Sequence, residues 1–473
     1  MRNPLLQLAV IVVCLPGLAS AEPPPLEDLA ITGAVERRLR MDEAVPEARI
    51  DVSTQEGVVT LSGSVDSLNA KFAAENAAED VRGVLGVINR IDVVPPPRGD
   101  TAIRGDVIAA LIAEPGVDAI DVRVEVEDRV VTLYGEVATY VERYLAEQTA
   151  GSVAGVAAVV NRLTYDIVTD RPDNVVAEEI ENRLRADASI AARLITVVVE
   201  DGQVTLAGSV RSAGEKTRAE RQAWAVAGVR AVENYLDVQW WRAEEMTAWE
   251  QPWTDRRMRR EIENALREST RVDAEDIEVT VHDGEAILRG EVDNLQGRRT
   301  AGDLAQNVLG IRRVRNRLRV RPPITRDDAT IAHDIRRALQ RNPYVRLYDI
   351  AVQVNQGRAV LRGQVDTWHM KRQATAAAAT VDGVVAIENN LEVDYQPPPK
   401  TDDEIREDIE SDLWWNPVVD SDHVHVEVHS GVATLSGTVR DWRQVQSAVE
   451  NAREAGATSV VNNLRVTYEN GTS

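Results

Sequence analysis

The chain has 473 residues, a formal net charge of −23 at pH 7 and one cysteine, Cys14. That acidity argues against general nucleic-acid binding, which needs a basic footprint, and a lone cysteine excludes a disulfide framework and a thiolate metal site. Length alone suggests about three domains, but an internal repeat overrides that estimate.

Residues 1–21, MRNPLLQLAVIVVCLPGLASA, read as a secretory signal peptide: a basic start, an apolar run and a small-residue ending, with cleavage expected near Ala21. The run is too short for a membrane span. No later stretch approaches 18 apolar residues, so no transmembrane segment is expected in the mature chain. A lipoprotein reading would acylate Cys14, but Ile11, Val12 and Val13 before it are bulky where small residues are wanted.

After the leader one strand-like pattern recurs six times: GVVTLSG, RVVTLYG, GQVTLAG, GEAILRG, GRAVLRG and GVATLSG. Its second glycine falls at Gly63, Gly135, Gly208, Gly290, Gly363 and Gly437, a spacing of 72 to 82 residues. The modules are 26–95, 100–170, 171–239, 254–321, 326–395 and 400–469, with a tryptophan-rich linker at 240–253. At that size a module buries only about 60% of the surface its unfolded chain exposes and is expected to lean on its neighbours.

The fourth module serves as the type. Met258, Ile262 and Leu266 recur at helical spacing, then Ile277, Val279 and Val281 alternate as a half-buried strand. Asp283-Gly284 is a hairpin turn, since glycine accepts the positive φ of primed turns. A return strand places Ala286, Leu288, Gly290 and Val292 on one face, a second helix covers about 293–308, and Gly310 ends it as a left-handed cap. IRRVRNRLRV is a third strand. The fold class is therefore α+β: six tandem small α-β-β-α-β modules, each with two helices packed on a three-stranded sheet whose other face is wet.

The recurring residues have structural readings. Turn glycines are Gly57, Gly202, Gly284, Gly357 and Gly431, with Arg129 in that place in the second module. The second glycines lie on the inward strand face, where they leave room for a helix backbone. Third glycines are Gly83, Gly155, Gly228, Gly310, Gly383 and Gly456, each followed six residues later by Asn89, Asn161, Asn234, Asn316, Asn389 or Asn462. Glycine and asparagine together are read as answers to a demanding backbone rather than as reactive groups.

These motifs, V-x-x-x-G-x-V-x-L-x-G-x-V and V-x-G-V-x-x-V-x-N-x-L, resemble the BON domain family over the whole mature chain. VVEDGQVTLAGSV with VAGVRAVENYL, and VTVHDGEAILRGEV with VLGIRRVRNRL, carry the resemblance. It implies a periplasmic, non-enzymatic module similar to those of osmotically inducible proteins, associated with phospholipid or other envelope components. No cofactor is implied.

Only the fourth module has more basic than acidic residues. Its arginines cluster at Arg256, Arg257, Arg259 and Arg260, and at Arg312, Arg313, Arg315, Arg317 and Arg319, next to a linker holding Trp240, Trp241, Trp249 and Trp253. Indole favours the membrane–water interface and arginine attracts anionic headgroups, so Trp240, Trp241, Trp249, Trp253, Arg256, Arg257, Arg259, Arg260, Arg313, Arg315 and Arg317 are the candidate lipid contacts. The competing reading places the tryptophans in the seam between modules three and four and pairs the arginines with Glu261 and Glu263. The strand HVHVEVH puts His423, His425, His429 and Glu427 on one face, a weak metal candidate whose ends diverge. There is no G-x-S-x-G and no H-E-x-x-H, and no phosphate-binding glycine loop.

The leading expectation is an exported envelope scaffold, with modules in a row joined by proline linkers and binding an anionic phospholipid surface or envelope proteins by avidity. The alternative is a stress-related periplasmic chaperone or a protein-interaction scaffold without lipid binding, in which open sheet edges permit an oligomer.

Overall fold

The computed structural model describes residues 26–45, 49–165, 171–242, 253–323, 326–394 and 400–467. The leader, Cys14 and Trp249 lie outside the described residues. Among the described residues twelve α-helices run in six pairs: α1 Asp28–Met41 and α2 Leu68–Glu79, α3 Asp100–Ala113 and α4 Tyr140–Gly151, α5 Asp173–Ala186 and α6 Ala213–Trp224, α7 Asp255–Arg267 and α8 Leu295–Gln306, α9 Asp328–Arg341 and α10 Trp368–Ala379, α11 Asp402–Trp415 and α12 Trp442–Glu454. Each pair covers one sheet.

In the first module β1 (Arg49–Gln55) runs antiparallel to β2 (Val58–Val65), and β2 runs parallel to β3 (Gly86–Val93), which returns after the crossover helix α2. The same order recurs in all six sheets. The fourth departs slightly. Its third strand is broken at Arg317, whose N–H donates to Leu288 O at 2.8 Å, so Arg313–Asn316 and Arg319–Val320 pair with the central strand separately. Leu61, Leu133, Leu206, Leu288, Leu361 and Leu435, one per central strand, are all fully buried under the helices.

An aspartate at the first residue of each leading helix holds the hairpin to that helix. Asp173 accepts hydrogen bonds from Asp201 N at 2.8 Å and Gly202 N at 3.0 Å. Asp28, Asp100, Asp255, Asp328 and Asp402 make the same pair of bonds to their own turns. The turns have positive φ at both central residues, as primed hairpins require. Their two N–H groups point away from the ladder and need an acceptor. In the second module Arg129 adopts the glycine conformation at φ 67° and keeps the Asp100 bond at 3.0 Å.

Two glycine and asparagine readings need correction. Gly208 does not make room for a helix. At φ 121° it lies against the start of the neighbouring strand, where an added Cβ would overlap the Leu194 carbonyl oxygen. The asparagines have no unusual φ and recur for their side chains. Asn161 Nδ2 donates to Arg143 O at 2.9 Å while its Oδ1 accepts from Leu163 N at 3.1 Å, tying the third strand to the second helix.

The modules do not lie in a row. The second helices of modules 1, 2 and 3 form a closed triangle. Thr217 donates to Glu79 at 3.1 Å where α6 meets α2, Tyr140 stacks on Trp224 at 5.0 Å where α4 meets α6, and Leu68 of α2 seats against Gly151 of α4. Modules 4 to 6 cover that triangle. One hydrogen bond recurs three times between equivalent atoms: Arg82 N to Trp415 O, Ala154 N to Arg341 O, and Leu309 N to Ala186 O, at 2.8, 2.8 and 3.0 Å. It joins modules 1 and 6, 2 and 5, and 4 and 3. A second set of contacts joins 2 to 4 through Glu114–Arg271 at 2.6 Å and 1 to 5 through Tyr344 Oη donating to Ala44 O at 3.1 Å. Leu295 of module 4 sits in the core of module 5. This connectivity is that of two stacked triangles, the pattern of a dihedral hexamer written into one chain.

Gly208→Ala is expected to cost about 2–3 kcal/mol, because the new Cβ meets backbone in a strained region. Gly33→Ala, with nothing within 4 Å of the added carbon in the middle of α1, is expected to stabilise by about 0.5 kcal/mol. Urea denaturation midpoints of the two variants check the pair; equal shifts would contradict this account of the repeated glycine.

Candidate functional site

The basic module presents its arginines on two elements. Arg256, Arg259 and Arg260 are exposed on α7, and Arg313, Arg315 and Arg317 are exposed on the broken third strand, which is an edge of the sheet. Asp255 of α7 clamps the turn at Gly284, while the ladder begins at Glu285 opposite Arg313, so the start of α7 and the start of that strand share the hairpin end of the module. Neighbouring acids temper the charge. Arg259 lies 3.6 Å from Glu263, Arg260 3.4 Å from Glu261, and Arg315 pairs with Glu285. Arg257 is turned inward, with its guanidinium 4.0 Å from the Trp253 ring centroid; burial lowers its pKa.

The tryptophans separate from this patch. Trp253 is half-buried against the core of module 4. Trp240 and Trp241, packed edge to face at 5.9 Å, lie at the end of module 3 in a short helical turn, Trp240–Arg242. The Arg82 guanidinium of module 1 lies between Trp240 and Trp414 of module 6, at 5.4 and 5.0 Å from their ring centroids. Cation–π contacts of this kind contribute about 0.5–1 kcal/mol each when partly exposed. Trp415 packs against the core of module 1. Trp240 thus meets a seam among modules 1, 3 and 6, while Trp253 packs on module 4 itself.

The histidine strand is simple. His425, Glu427 and His429 are exposed on Val424–His429, and His423 precedes the strand with its Nδ1 3.3 Å from Asp420. No group of three or more His, Cys, Asp or Glu that could hold a metal occurs among the described residues.

Where modules 1 and 6 meet, carboxylates are buried with too few cations. Arg38 pairs with Glu454, and Arg37 lies 4.0 Å from Asp412. Burial outweighs these partners: it pushes the Glu454 carboxyl up to about 8 and that of Asp412 up to about 6. His369, packed edge to face on Tyr344 at 4.5 Å where module 5 meets module 1, is pushed by burial down to about 4.

The aspartate, second glycine, leucine and asparagine common to the six copies serve a turn, a strand contact, a core and a strand-to-helix tie. That defines a class: a repeat protein whose shared residues serve the fold, with function left to what differs between copies. The chain belongs to the BON domain family, whose model matches residues 27–95, 99–166, 172–239, 254–322, 327–395 and 401–468. It is similar to osmotically-inducible protein Y of Escherichia coli (strain K12), with 31% identity over 174 residues, 36% of this chain and 84% of that protein. It is also similar to the outer membrane lipoprotein DolP of Haemophilus influenzae, with 29% identity over 165 residues, 35% of this chain and 81% of the relative. Among solved structures it matches CdsD, a structural protein of the type III secretion system of Chlamydia trachomatis. That match has 17% identity and covers 45% of this chain and 92% of the other, at a TM-score of 0.13 that is too low to bear on the fold. Among the described residues no helix is long and apolar enough to cross a membrane.

A carboxyl whose folded pKa is raised stabilises below its unfolded pKa and loses that contribution as pH climbs through the folded value. His369 has the opposite sign, and its contribution is complete above about pH 6.5. Between pH 6.5 and 8 the melting temperature is therefore expected to fall, and Glu454→Gln is expected to flatten that slope. A slope unchanged in the variant, read by calorimetry, would place the titration elsewhere.

Proposed function

We propose that the protein is a non-enzymatic, exported adaptor of the cell envelope that rests on an anionic phospholipid surface through its fourth module. The observation that carries this reading is the set of exposed arginines of that module, Arg256, Arg259 and Arg260 on α7 and Arg313, Arg315 and Arg317 on the edge strand, in a chain of net charge −23. An anionic leaflet attracts such a face with about 1 kcal/mol per cation near the surface, and the acidic modules are repelled, so the body would stand on one module. Trp240 and Trp241 take no part, being held in the seam with Arg82. The names of the two relatives, one osmotically inducible and one an outer membrane lipoprotein, support a place in the periplasm, and residues 1–21 are the expected signal peptide for export.

A second reading, a protein-binding or chaperone scaffold without lipid contact, is favoured by a different observation. Ile88, Val160 and Val461 occupy equivalent places on the third strands of modules 1, 2 and 6 and are 43%, 40% and 44% exposed. Apolar side chains on an edge strand suit strand addition by a partner.

The mature chain is expected to sediment with vesicles containing phosphatidylglycerol at low salt, to be released at high salt, and to ignore phosphatidylcholine vesicles. Changing Arg256, Arg259, Arg313 and Arg317 to Ser is expected to weaken the association at least tenfold. Absence of sedimentation with anionic vesicles at low salt would overturn the lipid reading in favour of the protein partner.

A further inference from the structure

The recurrent hydrogen bond from the turn after one module's second helix to the end of another's first helix makes three module pairs equivalent, and their interiors differ. Ten residues after the clamping aspartate, the first helices carry Arg38 and Asp412 in pair 1–6, Arg183 and Ala265 in pair 3–4, and Ala110 and Ala338 in pair 2–5. In pair 1–6 Arg38 reaches across to Glu454, and Asn451 Oδ1 lies 3.5 Å from it. In pair 3–4 Arg183 reaches across to Glu268 and also meets Gln222 at 3.3 Å. In pair 2–5 both positions are alanine, Ala377 stands where module 4 has Leu304, and no side-chain hydrogen bond or ion pair crosses among the described residues. A cavity of about 220 Å³ remains, lined by these alanines and entered by Asn69 from module 1 and Gln296 from module 4. Four modules thus contribute to one partly open pocket.

Its polar groups are selective. Glu114 is already taken by two hydrogen bonds from Arg271, at 2.6 and 2.8 Å. Arg341, held in place by Ala154 N donating to its carbonyl, has no ion pair and no side-chain hydrogen bond among the described residues. The carboxylates closest to it electrostatically, Asp106 and Asp334, are each engaged by another arginine, Arg98 and Arg326, at 2.6 Å. Asn69 and Gln296 make no side-chain hydrogen bonds among the described residues, and Gln373 Oε1 accepts only from Asn342 Nδ2, at 3.2 Å. A half-buried guanidinium whose nearby carboxylates are already paired elsewhere is costly unless something supplies a direct partner. Its planar fork matches a carboxylate, and the surrounding amides match hydroxyl groups. Arg341 is the one cation among the lining residues, and a single cation balances one negative charge better than a dianionic phosphate. The volume exceeds the ~150 Å³ of a cavity that takes benzene.

We propose that the cavity between modules 2 and 5 binds one small hydroxylated carboxylate per chain, its carboxylate on Arg341 and its hydroxyls on Asn69, Gln296 and Gln373. The site is remote in character from the arginine face of module 4 and does not depend on lipid contact.

Isothermal titration of the full mature chain with gluconate, and with glucose as its uncharged counterpart, tests the assignment. One gluconate per chain is expected, with a Kd of about 1 mM for a ligand of this size, and glucose at least tenfold weaker. Arg341→Gln is expected to weaken gluconate at least tenfold, with Arg341→Lys recovering part of the loss. Ala377→Leu, which gives module 5 the residue its counterpart already carries, is expected to abolish binding without lowering the melting temperature. The proposal is overturned by no gluconate binding, by glucose binding equally well, or by gluconate binding that survives both Arg341→Gln and Ala377→Leu. If one variant fails to fold, the other decides.

Discussion

A module of about seventy residues has too little interior to satisfy both sides of its helices, and that shortage governs the rest of the molecule. One side of each helix lies on its own sheet; the other needs cover from elsewhere. Ala213 of module 3 and Trp415 of module 6 pack against the core of module 1, and Leu295 of module 4 belongs to the core of module 5. Six weak domains become one body by sharing apolar surface along their helices.

Because the helices turn inward, the outer faces of the sheets and their edge strands are what the protein shows to its surroundings. Differences between the copies lie there: histidines on the sixth sheet, arginines on the fourth, and isolated aliphatic residues on the first, second and sixth. The conserved interior and the variable exterior divide the labour between assembly and contact. The cavity between modules 2 and 5 belongs to neither category, since it arises at an interface where bulk was removed. Symmetry makes that removal visible, as the two sister interfaces show what the same positions look like when filled.

Much of the module could be read from the chain. Asp283-Gly284 announces its turn and Leu288 its buried strand, because periodicity and turn chemistry are local. The helix-start aspartate was not read, although it precedes the second glycine by 35 residues in every copy, from Asp28 and Gly63 to Asp402 and Gly437. A single acid in a first helical turn resembles any other, and only the repeat register distinguishes it. The reason for Gly208 differs from the sequence reading because the approaching group, the Leu194 carbonyl, belongs to the short helical turn that leads into the neighbouring strand and not to a packed α-helix. The tryptophan seam was assigned to the adjacent modules because nothing near Trp240 encodes Arg82, 158 positions earlier. The cavity was invisible for the same reason: it depends on alanines at 110 and 338 facing one another across the chain.

The contact between the first and last modules also sets an order of events. Arg82 N and Trp415 O are joined, and Trp415 covers apolar surface of a module whose own strands are complete more than three hundred residues earlier. During synthesis the amino-terminal module has to wait, with part of its surface uncovered, until the carboxy-terminal module has emerged. Contacts so distant in sequence form late and slowly, and the exposed surface in the interval is open to misassembly. A chain truncated before module 6 would carry that unfinished state permanently, so the last module acts as a completeness check on the first.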